Sequence, residues 1–372
     1  MEANLDRLPD KSIAFIGSVG LPNCYGGFES FLESVAPVIA GNKIRVIVTC
    51  DKGRYKDHPE NYKGVKLEYV PIRANGALSQ LHDFVAFCKV FSTVDAIIVL
   101  GVSAGFFFPI MRLIGAIFRK ELLVNVDGIE WRRNKFSRSV RCLLKLYDFL
   151  AQLFANKIIY DNRELLPYIY PKLRTKAYYI PYSGDHVARM PYLAREQFAL
   201  TICRVEPENN LEMLIQGVLE SNLDRYTIIG NWSHSSYGSS LRARFAGEKR
   251  LTLLDPIYDA LKVASYREMC VIYLHGHSVG GTNPSLVEML FYDCHILCFD
   301  CDFNRSTADR NADYFLSPRE LANKINEKIK INLPVKRVMT SQYTAQNIAR
   351  SYIHAVFGEG KEQSCLPAEA FD

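Results

Sequence analysis

The sequence predicts an α/β protein with two Rossmann-like, doubly wound domains facing across a cleft, and three observations predict it. Between residues 12 and 180, short apolar runs alternate with helix-periodic segments, the order that winds a parallel sheet. A second series of the same kind begins at 198. Between the two, residues 181–191 (PYSGDHVARMP) carry loop residues and no period. A chain of 372 residues also exceeds the usual size of one core. The expected organisation is an N-terminal domain over 1–185, a C-terminal domain over 195–340, a final helix within 341–358 and a tail over 359–372.

The first strand is read at 12–17, followed by the loop SVGLPNCYGG and a helix with Phe31, Val35 and Ile39 on one face. This opening lacks the G-x-G-x-x-G fingerprint of dinucleotide enzymes, which argues against an NAD-dependent oxidoreductase. The Gly26-Gly27 turn instead lets backbone come close to a ligand, and Glu29 falls in the first helical turn, where the dipole favours a carboxylate in any case. Strands follow at 44–49, 65–70 and 96–100, with a helix over 78–91. Residues 101–119 are the most apolar in the chain, but Pro109, Arg112 and three glycines divide them. A strand end followed by a buried helix, or by a helix lying on a bilayer surface, fits better than a membrane span.

A strand at 122–126 leads into Asp127-Gly-Ile-Glu130-Trp-Arg132-Arg133, at the carboxyl end of a strand, where α/β sheets place ligands. From 131 to 145 there are six basic residues and no acidic one. Such a patch suits an acceptor diphosphate or anionic headgroups, and equally a solvated helix face. A strand at 157–161, a helix at 163–170 and a strand at 177–180 complete the first series.

The second series runs through a strand at 198–203, a helix at 210–219, a strand at 226–229 and a loop at 230–238. Its centre is the stretch 273–290, YLHGHSVGGTNPSLVEML. There Gly280 and Gly281 make a loop without side-chain bulk, Asn283 is an N-cap and Pro284 a first-turn proline. The start of such a helix favours an anion such as phosphate, and Glu288 lies where it would accept sugar hydroxyls. An ordinary strand, turn and capped helix has the same pattern. A strand at 295–299, a loop at 300–305, a helix near 320–329 and a last helix over 344–357 follow.

Composition sets bounds. A chain with 48% hydrophobic and 23% charged residues builds full cores, as soluble enzymes do. A net charge of +5 without one concentrated basic face gives no reason to expect a nucleic-acid partner. The ten cysteines lie scattered in or beside apolar runs, as in a reducing compartment. Cys294, Cys298 and Cys301 lack a second ligand pair for zinc, and Asp300-Cys301-Asp302 fits a loop after a strand as well as a metal site. The N-terminus is polar without the apolar core of a secretory signal. No cofactor and no metal is expected, and the protein is expected in the cytoplasm.

Six segments together resemble a known family: Tyr25-Gly-Gly-Phe-Glu29, Asp127-Gly-Ile-Glu-Trp131, Arg204-Val-Glu-Pro-Glu-Asn-Asn210, Gly230-Asn-Trp232, Asp255-Pro-Ile-Tyr-Asp259 and 275–288. In register over residues 12–358, they are similar to the rhamnosyltransferase-type branch of the family-four retaining glycosyltransferases. That resemblance implies a GT-B fold, an acceptor-binding N-terminal domain, a nucleotide-sugar-binding C-terminal domain, and a last helix that crosses back to the first domain. It implies catalytic roles for Asp127, Arg204 and Glu288. Arg204 would meet the donor diphosphate, Glu288 the ribose, and Asp127 the anomeric carbon and acceptor hydroxyl. Gly26, Gly27, Asn231, Gly280, Gly281, Thr282, Asn283 and Ser285 would line the donor, and Glu29, Glu130, Arg132 and Arg133 the acceptor.

The implied partners are a nucleotide-sugar, dTDP- ahead of UDP- or GDP-linked, and a polyprenyl-diphosphate-linked saccharide at the cytoplasmic membrane surface. The chain departs from the wider family at two positions: Gly280 stands where relatives carry a first glutamate, and Asn209 where they carry a phosphate-binding lysine. Lys262 and Arg267 are the candidate substitutes. A nucleotide-sugar epimerase of the same fold and a catalytically silent partner of another transferase are the rival readings.

Overall fold

The computed structural model describes residues 11–126, 128–132, 136–331 and 340–358. The chain divides into two compact units, Met1–Ser183 with Ala345–Asp372, and Gly184–Thr344.

In the first unit the strands are β1 (Ser12–Ile16), β2 (Arg45–Asp51), β3 (Asn61–Tyr62), β4 (Val65–Val70), β5 (Ala96–Leu100), β6 (Glu121–Val126), β7 (Lys157–Tyr160) and β8 (Ala177–Tyr179). They lie in the order β3-β4-β2-β1-β5-β6-β7-β8. All pairs are parallel except β3 with β4, which a two-residue turn joins. That turn needs positive φ at both positions, and Lys63 (47°) and Gly64 (83°) supply it. Every residue of β1 and β5 is buried, as expected for central strands covered on both faces. The helices are α1 (Gly27–Gly41), α2 (Ser79–Val90), α3 (Phe108–Ile117) and α4 (Arg138–Phe154). α1 turns Phe31, Leu32, Val35 and Ile39 inward at helical spacing. Where the sequence suggests a helix over 163–170, the chain forms 3-10 turns, Arg163–Tyr168 and Pro171–Lys176. Pro167 and Pro171 withhold the amides that a regular α-helix needs.

The second unit carries β9 (Glu196–Ile202), β10 (Tyr226–Ile229), β11 (Leu251–Leu254), β12 (Cys270–His275), β13 (His295–Phe299) and β14 (Asp313–Phe315). Its sheet is parallel throughout, in the order β11-β10-β9-β12-β13-β14. Its helices are α5 (Leu211–Leu219), α6 (Ser236–Phe245), α7 (Ala260–Met269), α8 (Pro284–Met289), α9 (Asp302–Ala308) and α10 (Pro318–Lys328).

Five of these elements are new relative to the sequence reading, for physical reasons. β11 is a half-exposed edge strand and β14 has three residues, too short for a period to register. α6 and α7 have weakly sided sequences and are started by Ser235 and Asp259, whose side chains accept from Gly238 N and Lys262 N. α9 begins inside the stretch read as a loop; there Asp300 forms a two-bond pair with Arg305, 2.5 Å to Nε and 2.7 Å to Nη2.

The last helix, α11 (Ala345–Phe357), belongs to the first unit and packs along α1. Tyr352 holds it there. Its ring lies 5.2 Å from that of Phe31 and 5.8 Å from that of Phe15, and its hydroxyl accepts a 3.0 Å bond from Asn125 Nδ2. Lys157 Nζ donates to the carbonyl of Ala355 at 2.8 Å, a cation at a helix C-terminus. Among the described residues no helix is long and apolar enough to cross a membrane.

Candidate functional site

Strand order reverses between β9 and β12 in the second unit, and such switch points open a crevice beyond the carboxyl ends of the strands. Two loops meet there, 203–210 after β9 and 276–283 after β12. Ser278 donates from its amide (3.0 Å) and its hydroxyl (2.9 Å) to the carbonyl of Glu208. Asn210 Nδ2 donates to Gly276 O at 2.8 Å. A Cβ at Gly276 would strike the carbonyl of Asn209, so close approach of the two loops requires glycine there.

Arg204 projects from this crevice with an exposed side chain and has no ion-pair partner among the described residues. Asn231 supports it indirectly, since its Oδ1 accepts from Val205 N at 2.7 Å. Asn231, expected to line the donor, therefore spends its carbonyl on the loop that carries the arginine. Asn209 bridges the two loops: Nδ2 donates to Arg204 O at 2.8 Å, and Oδ1 faces His277 Nδ1 at 3.1 Å. Gly280 has φ 125°, a conformation that strains any side chain. Thr282 is buried. Asn283 caps α8 through a 3.0 Å bond from Ser285 N. That helix is only six residues long, so it offers a weaker anion site than its start suggests in sequence.

Glu288 is buried and already partnered. Its Oε2 pairs with Arg267 Nη2, and its Oε1 lies 3.4 Å from His186 Nε2. Burial alone would push this carboxyl up, but Arg267 and then His186 outweigh it and hold it below the ordinary value. Arg267 is thus the counter-ion of Glu288 and not a phosphate cation in waiting. Its guanidinium also lies 5.9 Å over Tyr292. Lys262 sits on the exposed face of α7.

In the first unit the strand order likewise reverses between β1 and β5. Gly17 (φ 91°) packs its bare Cα against the carbonyl of Leu100. Glu29 is buried beneath the Gly26-Gly27 turn, where Oε1 accepts from Val19 N at 2.7 Å. Burial pushes its carboxyl up, against the amide bonds from Val19 and Gly26. Its carboxylate is a clamp on the loop's own backbone. Glu130 and Arg132 lie on a 3-10 turn, Glu130–Arg132, beyond β6. Arg132 bonds the hydroxyl of Tyr168, and between them Trp131 Nε1 donates to buried Asp148 at 3.2 Å. Asp127 and Arg133 lie outside the described residues.

Arg204, Asn231, the 280–285 loop and Glu288 all belong to the second unit, while Gly26, Gly27, Glu29, Glu130 and Arg132 belong to the first. Two supporting residues have no assigned role in the sequence reading. His186 comes from the segment without a period and reaches Glu288 across 102 positions, a pairing no local pattern signals. His277 stands inside the conspicuous HGHSVGG stretch, and only the fold turns its ring to Asn209.

The first unit also exposes several large apolar side chains on α3 and α4. Phe106 (60% exposed), Leu113 (63%) and Ile117 (66%) are exposed on α3 or just before it, and Leu143 and Leu146 are exposed on α4, which packs against α3. Arg112, Arg119, Arg138 and Lys145 lie on the same two helices or beside them.

Comparison with known proteins places this architecture. The model of a domain of unknown function (DUF1972) matches residues 10–185, and no curated protein matches the chain. The structure resembles the sucrose-phosphate synthase of Thermosynechococcus elongatus, with 12% identity and a TM-score of 0.69 over 93% of this chain and 95% of that one. It also resembles Anabaena HepE in complex with UDP and glucose (17%, 0.61, 93% and 94%). A third is the lipopolysaccharide outer core galactosyltransferase WaaB (14%, 0.59, 93% and 99%). At these identities the likeness establishes the fold: the chain has the GT-B architecture of two Rossmann-like domains.

Proposed function

We propose that the protein is a retaining glycosyltransferase that moves a sugar, L-rhamnose from dTDP-L-rhamnose, onto a lipid-linked saccharide in the synthesis of a cell-surface polysaccharide. The observation that carries this reading is the crevice at the β9–β12 switch. There an unpaired arginine, Arg204, stands beside a side-chain-free glycine loop in the same unit as a pre-oriented carboxylate, Glu288. A guanidinium suits a diphosphate because its fixed fork donates two parallel hydrogen bonds. Glu288 has lone pairs left after Arg267 and His186 and accepts from the ribose.

In the reaction the bond between the anomeric carbon and the β-phosphate oxygen breaks, and that carbon bonds the acceptor oxygen on the same face. The acceptor hydroxyl proton leaves with the departing diphosphate. Negative charge grows on the diphosphate, so Arg204 and the loop amides contribute electrostatic stabilisation that needs no reorganisation. Asp127, the next residue in sequence after β6, supports the positive charge at the anomeric carbon. Glu130, Arg132 and Arg133 hold the acceptor, and Glu29 keeps the Gly26-Gly27 backbone in place.

The acceptor is a polyprenyl-diphosphate saccharide at the cytoplasmic membrane surface. The apolar face of α3 and α4 supports this, because its neighbouring arginines and lysines complement anionic headgroups.

The test is a panel of dTDP-, UDP- and GDP-sugars incubated with lipid-linked acceptors and read by mass spectrometry. Sugar appearing on the acceptor with the donor's anomeric configuration is the expected result. Donor consumed or converted without acceptor would replace this reading with an epimerase, and no consumption at all would end it.

A further inference from the structure

Away from the crevice, the second unit holds a pocket of about 280 Å³ between α7 and the first residues of β9 and β10. Its helix wall is one face of α7, made by Lys262, Ser265, Tyr266 and Met269 at three- and four-residue spacing. The chain gives this wall a direction. Met269 leads into Cys270, which pairs with Glu196 at the start of β9, so Lys262 lies about 10 Å up the helix from that end. On the sheet wall, Phe198 lies near the Met269 end. Thr227 pairs with Leu200, four residues along β9 from Glu196, and so stands toward Lys262.

Three polar groups in this lining are uncommitted among the described residues. Thr227 is buried, yet its hydroxyl has no hydrogen-bond partner, which is unusual for a buried polar group. The Tyr266 hydroxyl has none either, and Lys262 has no ion pair. Ser265 donates to Lys262 O at 2.7 Å. Arg225, the other cation of the lining, pairs with Glu196 and lies 5.1 Å over the Phe198 ring. One net positive charge remains, on Lys262.

We propose that this pocket binds a small amphipathic monocarboxylate, its head on Lys262, Thr227 and Tyr266 and its apolar tail along Phe198 and Met269. Lys262 and Tyr266 are four residues apart on a helix and can meet one anion together. An ammonium and two hydroxyls supply charge-assisted donors to carboxylate oxygens. A dianion such as a phosphate monoester fits less well, since it would meet a single uncommitted cation with the Glu196 carboxylate in the same lining. The site is independent of the donor crevice, which opens beyond the carboxyl ends of the same strands.

Ligand-observed NMR on the full chain tests this with three probes of one shape: phenylbutyrate, its uncharged amide and phenylbutylamine. The carboxylate should bind about ten-fold more tightly than the amide, the worth of a charged hydrogen bond, and the amine most weakly. Lys262→Gln, at an exposed position, should remove that preference and leave the amide unchanged. Ser265→Trp fills the pocket and should abolish binding of both, with a melting scan to show that the second unit is folded. If that variant melts early, Ser265→Leu takes its place.

Wild-type protein that does not bind the carboxylate, or binds the amide or amine as tightly, would overturn the proposal. Carboxylate binding that survives the filling variant would do the same, because the head would then lie elsewhere. Tighter binding of phenyl phosphate than of phenylbutyrate would overturn the assigned ligand class.

Discussion

Replacing Arg267 by methionine should unfold the second unit far more readily than its position on a short helix suggests. The Arg267 and Glu288 side chains are each only 10% exposed, and the carboxylate owes its low proton affinity first to that guanidinium among the groups that lower it. Arg267→Met leaves Glu288 buried with His186 as its remaining partner, a loss of about 3–5 kcal/mol for a broken buried pair. This corresponds to about two to four orders of magnitude in the folded-to-unfolded ratio, or a urea midpoint lower by about 2 M. Glu288→Ala should cost a similar amount, and Arg267→Met with Glu288→Leu together should recover most of it, because no charge is then stranded.

The chain has two tryptophans, Trp131 in the first unit and Trp232, fully buried, in the second. In a Trp131→Phe background, Trp232 fluorescence reports the second unit alone. The depressed carboxyl pKa also fixes a sign. Its stabilising contribution is present above the ordinary value of 4.5 and is lost as pH falls through the folded-state value. Wild-type and Arg267→Met curves should therefore converge in acid. Single variants as stable as wild type, or a double variant as weak as either, would refute the argument. A practical consequence follows for function. Loss of activity in Glu288→Ala would not demonstrate contact with donor, whereas Glu288→Gln retains the shape and an acceptor for Arg267.

Arg204→Ala should weaken binding of the nucleoside diphosphate by about 10- to 100-fold, the worth of a charged hydrogen bond. Thermal stability should stay unchanged, because the side chain is exposed and unpaired; calorimetry with a melting scan checks both. His275 is buried with no partner for Nε2 among the described residues, and its pKa falls from 6.5 to about 3. Between those values the unfolded chain binds the extra proton, so stability falls as pH falls, by up to about 1.4 kcal/mol per pH unit. His275→Leu should flatten that acid limb in denaturant titrations run from pH 6.5 downward. Leu113→Glu with Ile117→Glu should abolish flotation with phosphatidylglycerol-rich vesicles without changing the melting temperature. Flotation equal to wild type would remove α3 from the membrane face.

The alternation of apolar and helix-periodic segments was enough to read the two doubly wound sheets, because strand and helix periods are local properties of the chain. β1, α1, β5 and β9 fall within one or two residues of their expected places. Short or edge elements such as β11 and β14, and weakly sided helices such as α6 and α7, carried no such period and appear only in the fold. The sequence also singled out Arg204, the 280–285 loop and Glu288, since glycine, cap and charge types announce themselves at short range.

What those side chains do was decided by tertiary structure alone. Glu29 turned out to spend its carboxylate on Val19 N, and Asn231 its carbonyl on Val205 N. Arg267, a candidate phosphate cation by its charge, is the counter-ion of Glu288, and His186 reaches the same carboxylate from a segment without any pattern. The physical reason is that a buried charge takes the nearest partner the fold provides, and nearness in a wound sheet bears no fixed relation to separation along the chain.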